Sequence, residues 1–173
     1  FIGGKTSRWS PTRVHASHYI DPPRRPEEGY HLNADLADHA IGYLTDLRTI
    51  APDKPFFMYY CLGAGHAPHH VEPEWIEKYR GKFDHGWDKW REETFARQLA
   101  MGIVPPGTKL SPRPQWVKAW DSLSADAQKL YARQMEVYAG FLEQTDHHIG
   151  RVLDFLERLG ELDNTLVMLA SDN

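Results

Sequence analysis

Residues 63–70 read Gly-Ala-Gly-His-Ala-Pro-His-His and contain three histidines, whose side chains are suited to chemistry. An imidazole can exchange a proton near neutral pH or bind a metal ion. A zinc site is disfavoured, because Pro68 prevents a regular helix between His66 and His69 and one loop rarely supplies the outer hydrogen bonds that zinc ligands need. His66 is the stronger candidate because it follows glycines that let the backbone approach a ligand. His69 and His70 are more typical of surface or loop-stabilising histidines.

A second polar segment, Ser-Asp-Asn at residues 171–173, offers a carboxylate and an amide oxygen side by side. Such oxygens suit a hard cation such as Ca²⁺ or Mg²⁺, which makes Asp172 and Asn173 candidate metal ligands. The same pair is typical of turns and helix N-caps. Composition alone leaves both interpretations open.

Each polar segment follows a short apolar run. Residues 56–62 read Phe-Phe-Met-Tyr-Tyr-Cys-Leu, and residues 165–170 read Thr-Leu-Val-Met-Leu-Ala. Continuous runs of this length predict strands buried on both faces, as in a parallel sheet. Ligands bind beyond the carboxyl ends of such strands, so His66 and Asp172 are expected at one edge of the sheet. Cys61, within the first run, is expected to be a buried filler rather than a nucleophile.

The remaining pattern predicts helices. Apolar residues at three- and four-residue steps predict a helix over 33–50 capped by Asn33, and a longer one from Ser124 to Gly160. A short helix begins at Pro73, and exposed helices anchored by aromatic residues follow within 74–97. On the long helix, His147 and His148 are expected to face solvent. The order helix, strand, helices, strand predicts an α/β fold with a right-handed crossover, and two strands alone indicate part of a larger sheet.

Composition excludes several classes of protein. The 173 residues carry a formal charge of −4, which argues against a nucleic-acid partner. No uninterrupted apolar run approaches the roughly 20 residues that a membrane-spanning helix needs. Cys61 is the one cysteine, so no disulfide can form within the chain.

Several segments together resemble the sulfatase family, especially the bacterial arylsulfatases. The resemblance extends over essentially the whole chain and is carried by residues 1–4, 26–32, 55–60, 63–70, 91–98, 133–141 and 171–173. It implies an α/β fold like that of alkaline phosphatase, with a mostly parallel sheet flanked by helices. It further implies hydrolysis of a small-molecule sulfate ester by a formylglycine nucleophile, with Ca²⁺ or another divalent cation holding the sulfate oxygens.

Three residues of this chain match functional positions of the family. His66 matches the histidine of a His-x-Pro motif, which contacts the sulfate and assists the leaving oxygen. Asp172 and Asn173 match the later metal-binding pair. The resemblance therefore implies a catalytic role for His66 and a metal-binding role for the pair.

Other family features are missing. The chain has no Cys/Ser-x-Pro-x-Arg motif from which formylglycine is made, and in Ser-Pro-Thr-Arg at residues 10–13 the proline directly follows the serine. The early Asp-Asp metal pair and a Lys-x-x-His pair are also missing. Residues 1–173 are therefore interpreted as the central portion of a sulfatase catalytic domain, truncated at both ends and inactive alone. The alternatives are a phosphonate or phosphate monoester hydrolase of the same superfamily, and a non-catalytic protein that binds sulfated ligands.

Overall fold

The computed structural model describes residues 7–170. Within this range the architecture is dominated by helices and contains one small antiparallel hairpin. In chain order the elements are β1 (Arg13–His15), β2 (His18–Ile20), a 3₁₀ turn (Pro26–Glu28), α1 (Leu32–Ile50), α2 (Pro73–Glu77), α3 (Gly86–Ala100), a 3₁₀ turn (Trp120–Ser122), α4 (Ala125–Arg158) and a 3₁₀ turn (Leu162–Asn164). No helix in the described part of the chain is long and apolar enough to cross a membrane.

The two long helices confirm the periodicity of the sequence. Helix α4 begins as predicted, since the Ser124 hydroxyl accepts a hydrogen bond from the backbone N–H of Ala127. The predicted cap of α1 is wrong by two residues. The side chain of His31 caps this helix by accepting from the N–H of Asn33, and Asn33 itself is fully buried.

The main core lies between α1 and α4. It contains small and branched side chains from both helices, namely Ala37, Ala40, Leu44, Val152 and Leu156. Phe56, Met58 and Tyr60 pack against this cluster from the first apolar run. The run therefore lies along the helix pair, as a strand of an α/β fold would.

The prediction of a strand buried on both faces over residues 56–62 is nevertheless wrong for the described structure. Side chains alternate along the run, and the two on the opposite face, Phe57 and Tyr59, are 91% and 84% exposed. Cys61 is exposed as well, so the expectation of a buried cysteine is also wrong. Helices cover one face of the run, and the side chains of the other face are exposed.

Residues 165–170 differ from their prediction in the same way. Leu166, Met168 and Leu169 are at least 80% exposed, and no regular element is assigned there. Among residues 7–170 the one sheet is the β1–β2 hairpin, in which Arg13 pairs with Ile20. A parallel sheet needs neighbouring backbones to hydrogen-bond with each strand, and the described residues do not supply them. The predicted parallel sheet is thus not formed by this part of the chain.

A second cluster of aromatic residues joins α3 to α4. Phe83 and Trp120 are buried in it, with Trp87 and Trp90 packed against them. The rings of Trp87 and Trp120 meet edge to face at 4.9 Å. Gly86 allows this packing, because a Cβ there would lie 2.2 Å from the Trp120 ring. These tryptophans hold helices together, whereas Trp116 is 85% exposed.

Candidate functional site

His66 lies exposed on the loop that follows the first apolar run. Its Nδ1 is 2.5 Å from the carbonyl oxygen of Ala67. A carbonyl can only accept, so Nδ1 carries a proton in this arrangement and Nε2 is the nitrogen open to a substrate. A neutral ring would accept a proton at Nε2, and a charged ring would donate one there.

The buried side chain of Arg8 holds the loop that carries His66. The Arg8 guanidinium donates through Nη2 to the carbonyl oxygen of Gly63 at 3.1 Å and to that of His66 at 3.3 Å. Arg8 is only 2% exposed. Gly63 allows this close approach, because a Cβ there would lie 2.5 Å from the guanidinium carbon. The backbone at both ends of residues 63–66 is therefore tied to one side chain.

The other end of the loop is tied to the start of α1. His31 donates through Nε2 to the carbonyl oxygen of His70 at 2.9 Å, while its Nδ1 accepts from Asn33 and from Gln144. These partners select the neutral tautomer with the proton on Nε2. Burial, partly offset by the hydrogen bond to His70, lowers the pKa of His31 and favours the same neutral form.

A buried polar network connects this loop to both long helices. The Asn33 amide donates to the Gln144 side-chain oxygen at 2.8 Å and to the Thr145 hydroxyl at 3.0 Å. Gln144 also donates to Glu72, at the end of the loop. Buried amides that are hydrogen-bonded in this way resist rearrangement, since any movement would leave polar atoms unpaired. The loop that carries His66 is thereby fixed relative to α1 and α4.

His69 faces an open cavity of about 570 Å³. The ring of His69 meets that of Tyr138 edge to face at 5.1 Å. Most of the remaining wall is apolar. It comes from the segment before α3, from α3 and α4, and from the turn between them, and it includes Phe83, Trp87, Trp90, Trp120 and Tyr131. A volume of this size and lining is typical of a site for a small organic ligand. The cavity lies beside the His66 loop because His69 belongs to both.

The predicted metal ligands, Asp172 and Asn173, lie outside the described residues. Their carboxylate and amide oxygens suit Ca²⁺ by type. Within residues 7–170 there is no group of three or more histidine, cysteine, aspartate or glutamate side chains that could hold a metal ion. The expected meeting of His66 with Asp172 stays a prediction.

Comparisons with known proteins identify the family to which this chain is similar. A sequence model of the sulfatase family matches residues 4–173. An arylsulfatase of Klebsiella aerogenes is 30% identical over 182 aligned residues, covering 100% of this chain and 38% of that protein. An uncharacterized sulfatase of Schizosaccharomyces pombe is 37% identical over 131 residues, covering 75% of this chain and 24% of that protein.

A third relative is an N-acetylglucosamine-6-O-sulfatase of Bacteroides thetaiotaomicron, 43% identical over 42 residues, which cover 24% of this chain and 8% of that protein. The chain thus spans less than two fifths of the length of each of these relatives. The family match extends over almost every residue, and its fold is the α/β fold of the alkaline-phosphatase type. The chain belongs to the sulfatase family.

Proposed function

We propose that residues 1–173 are the central portion of the catalytic domain of a sulfuric ester hydrolase of the arylsulfatase type. The observation that supports this best is His66, an exposed histidine with Nε2 open to a substrate on a loop held by buried hydrogen bonds. It lies in a chain that matches the sulfatase family over residues 4–173.

His66 is the catalytic residue in this proposal. Cleavage of the S–O bond leaves negative charge on the departing oxygen, and a charged imidazole can donate a proton or a hydrogen bond to it from Nε2. The hydrogen bond from Nδ1 to the Ala67 carbonyl restrains the ring and leaves Nε2 as the nitrogen that can act on the substrate. The nucleophile, a formylglycine, is expected outside these residues, and a divalent cation would polarise the sulfate with Asp172 and Asn173 among its ligands.

The cavity beside the loop supports an aromatic leaving group. Its wall includes the rings of Trp87, Trp90 and Tyr131, and His69 connects it to the loop. Planar aromatic groups pack well against such rings, in stacked or edge-to-face arrangements. An aryl group seated there would contact His69, three residues after His66 on the same loop.

The experiment uses the full-length protein that contains this chain. His66→Ala is compared with the wild type on two aryl sulfates, one with an acidic phenol such as 4-nitrophenol and one with phenol itself. A general acid contributes about 10²–10⁴-fold, so a loss of that order is expected for phenyl sulfate and a clearly smaller loss for 4-nitrophenyl sulfate. His18→Ala, at an exposed histidine of β2, is the matched control and should retain wild-type turnover.

Other outcomes separate the alternatives. Equal losses on both esters would remove the acid role and leave His66 only to position the sulfate. Wild-type turnover of aryl phosphates, with none of aryl sulfates, would support the phosphate monoester hydrolase instead. Binding of aryl sulfates without any turnover would support the non-catalytic alternative.

A further inference from the structure

We propose that Arg8 is a positioning residue for His66, which it orients by holding the carbonyl oxygens of Gly63 and His66 on one guanidinium nitrogen. The proposal rests on the proposed function, because it assigns Arg8 a part in the chemistry of His66. It goes beyond that function by naming a residue 58 positions earlier in the sequence, with no motif around it, as a determinant of the reaction.

The contacts of the Arg8 guanidinium indicate that it orients His66 rather than only stabilising the fold. Both acceptors belong to the turn that presents His66, and one of them is the carbonyl of His66 itself. Fixing that carbonyl fixes the peptide plane between His66 and Ala67. The Ala67 carbonyl in turn accepts from the His66 ring. Displacing the guanidinium would therefore change the direction in which Nε2 faces.

Arg8 is itself well anchored. Its carbonyl oxygen accepts from the N–H of Leu32 at 3.0 Å, at the first residue of α1. Its backbone N–H faces Nδ1 of His70 at 3.4 Å, at the far end of the loop. The guanidinium carbon also lies 6.0 Å from the centre of the Phe141 ring on α4. Arg8 thus contacts both long helices, and its guanidinium fixes the loop relative to them.

An arginine suits this task better than other residues. The guanidinium has several donors in one rigid plane, so a single buried group can satisfy two carbonyl oxygens at once. Hydrogen bonds from a charged donor are stronger than those between neutral groups. Glutamine has fewer donors and no charge, and lysine has the charge without the rigid plane. These two substitutions therefore separate the geometry from the charge.

The experiment compares Arg8→Gln and Arg8→Lys with the wild type in the full-length protein, on phenyl sulfate and 4-nitrophenyl sulfate. A misplacement of about 1 Å can lower a rate about 100-fold, so kcat for phenyl sulfate is expected to fall about 10- to 100-fold in Arg8→Gln, with little change in KM. The loss for 4-nitrophenyl sulfate should be smaller, because its leaving group needs less help. Arg8→Lys should fall between the wild type and Arg8→Gln.

Arg13→Gln is the matched control. Arg13 is a second buried arginine of the same segment, but it pairs with Asp35 rather than with the loop. Its substitution should lower the melting temperature while leaving the ratio of the rates on the two esters unchanged. The same unchanged ratio in a folded Arg8→Gln would overturn the proposal and leave Arg8 only a stabilising residue.

A double-mutant cycle of Arg8→Gln and His66→Ala is the sharper test. If Arg8 acts through His66, Arg8→Gln should lower kcat only slightly once His66 is already alanine. Full additivity of the two losses would overturn the proposal. The result of this cycle does not depend on the stability of the variants, provided that each one folds.

Failure of the proposed function can be distinguished from failure of this inference. If the wild type hydrolyses no aryl sulfate, the function fails, and amide hydrogen exchange of the full-length protein still tests the contact. Arg8→Gln should accelerate exchange in residues 63–70 while the amides of α4 keep wild-type protection. Unchanged exchange in the loop would overturn the inference.

Discussion

Acidification should destabilise this chain through His148, which is buried on α4 at 8% exposure. Arg151 donates through Nη1 to the Nδ1 of His148 at 3.2 Å, so the ring is held neutral by a partner that is always charged. Burial lowers the pKa of His148 to about 4, and the positive charge of Arg151 acts in the same direction, as does the electrostatic influence of the neighbouring His147 and His31. Asp38, which accepts from Arg151, opposes them.

The direction of the pH effect on stability follows from the order of the pKa values of His148 in the folded and unfolded chain. An unfolded histidine titrates near 6.5, so on acidification the unfolded chain takes up the proton before the folded chain does. The stabilisation from a neutral His148 is therefore complete above about pH 6.5 and is lost as the pH falls toward 4. Between pH 7.5 and pH 5 this one group should lower the free energy of unfolding by about 2 kcal/mol.

The assay is urea unfolding of the 173-residue chain at pH 7.5, 6 and 5, followed by tryptophan fluorescence and far-ultraviolet circular dichroism. His148→Asn keeps an acceptor near the position of Nδ1 and cannot be protonated. It should therefore remove about 2 kcal/mol of the loss that the wild type shows between pH 7.5 and pH 5. Burial also lowers the pKa of His31 and of His70, so part of the pH dependence should remain in the variant.

His147→Gln is the matched control, because His147 is the exposed neighbour on the same helix. It should retain nearly all of the wild-type pH dependence. If His148→Asn and the wild type lose the same free energy on acidification, within about 0.5 kcal/mol, the reasoning from burial is refuted.

Three further substitutions test the packing between helices and the buried polar network. Gly140→Ala should destabilise the chain by about 1–3 kcal/mol, because its Cβ would lie 2.9 Å from the backbone of Trp75 in α2. Gly150 lies on the same helix with open space around it, so Gly150→Ala should instead stabilise the chain by about 0.5–1 kcal/mol. Urea unfolding measures both variants, and equal changes in their free energies of unfolding would contradict the packing argument. Asn33→Leu should lower the free energy of unfolding by about 1–3 kcal/mol by removing a donor from the buried side-chain oxygen of Gln144; a neutral result would show that the network adds no stability.

Local signals in the sequence determined the helices. A stripe of apolar residues with Ser124 before it and Gly160 after it is sufficient to place α4, since spacing and end residues depend only on nearby positions. The continuous apolar run of residues 56–62 is local in the same sense, but the burial on both faces that it predicts is wrong, since one face is covered and the other is exposed. Burial on the second face depends on partners distant in sequence, and spacing cannot provide them.

Histidine environments show the same division. Sequence reasoning placed His148 toward solvent, yet it lies four residues after Gln144 and four before Val152, both buried against α1. The buried face of α4 contains polar side chains as well as apolar ones. A prediction based on the spacing of apolar residues alone therefore misses amides and imidazoles that are buried together. His31 was likewise missed, since its cap of α1 and its bond to His70 require the loop to be in place.

The candidate catalytic residue itself could be chosen from the sequence, because His66 stands in a glycine- and proline-marked loop that matches a family motif. Arg8 could not be found that way, since it lies in an irregular segment with no periodic pattern. Only the tertiary structure brings its guanidinium to the carbonyl oxygens of Gly63 and His66. The physical reason is that backbone carbonyls are the same for every residue, so a contact made to them leaves no mark on the residue types of the loop.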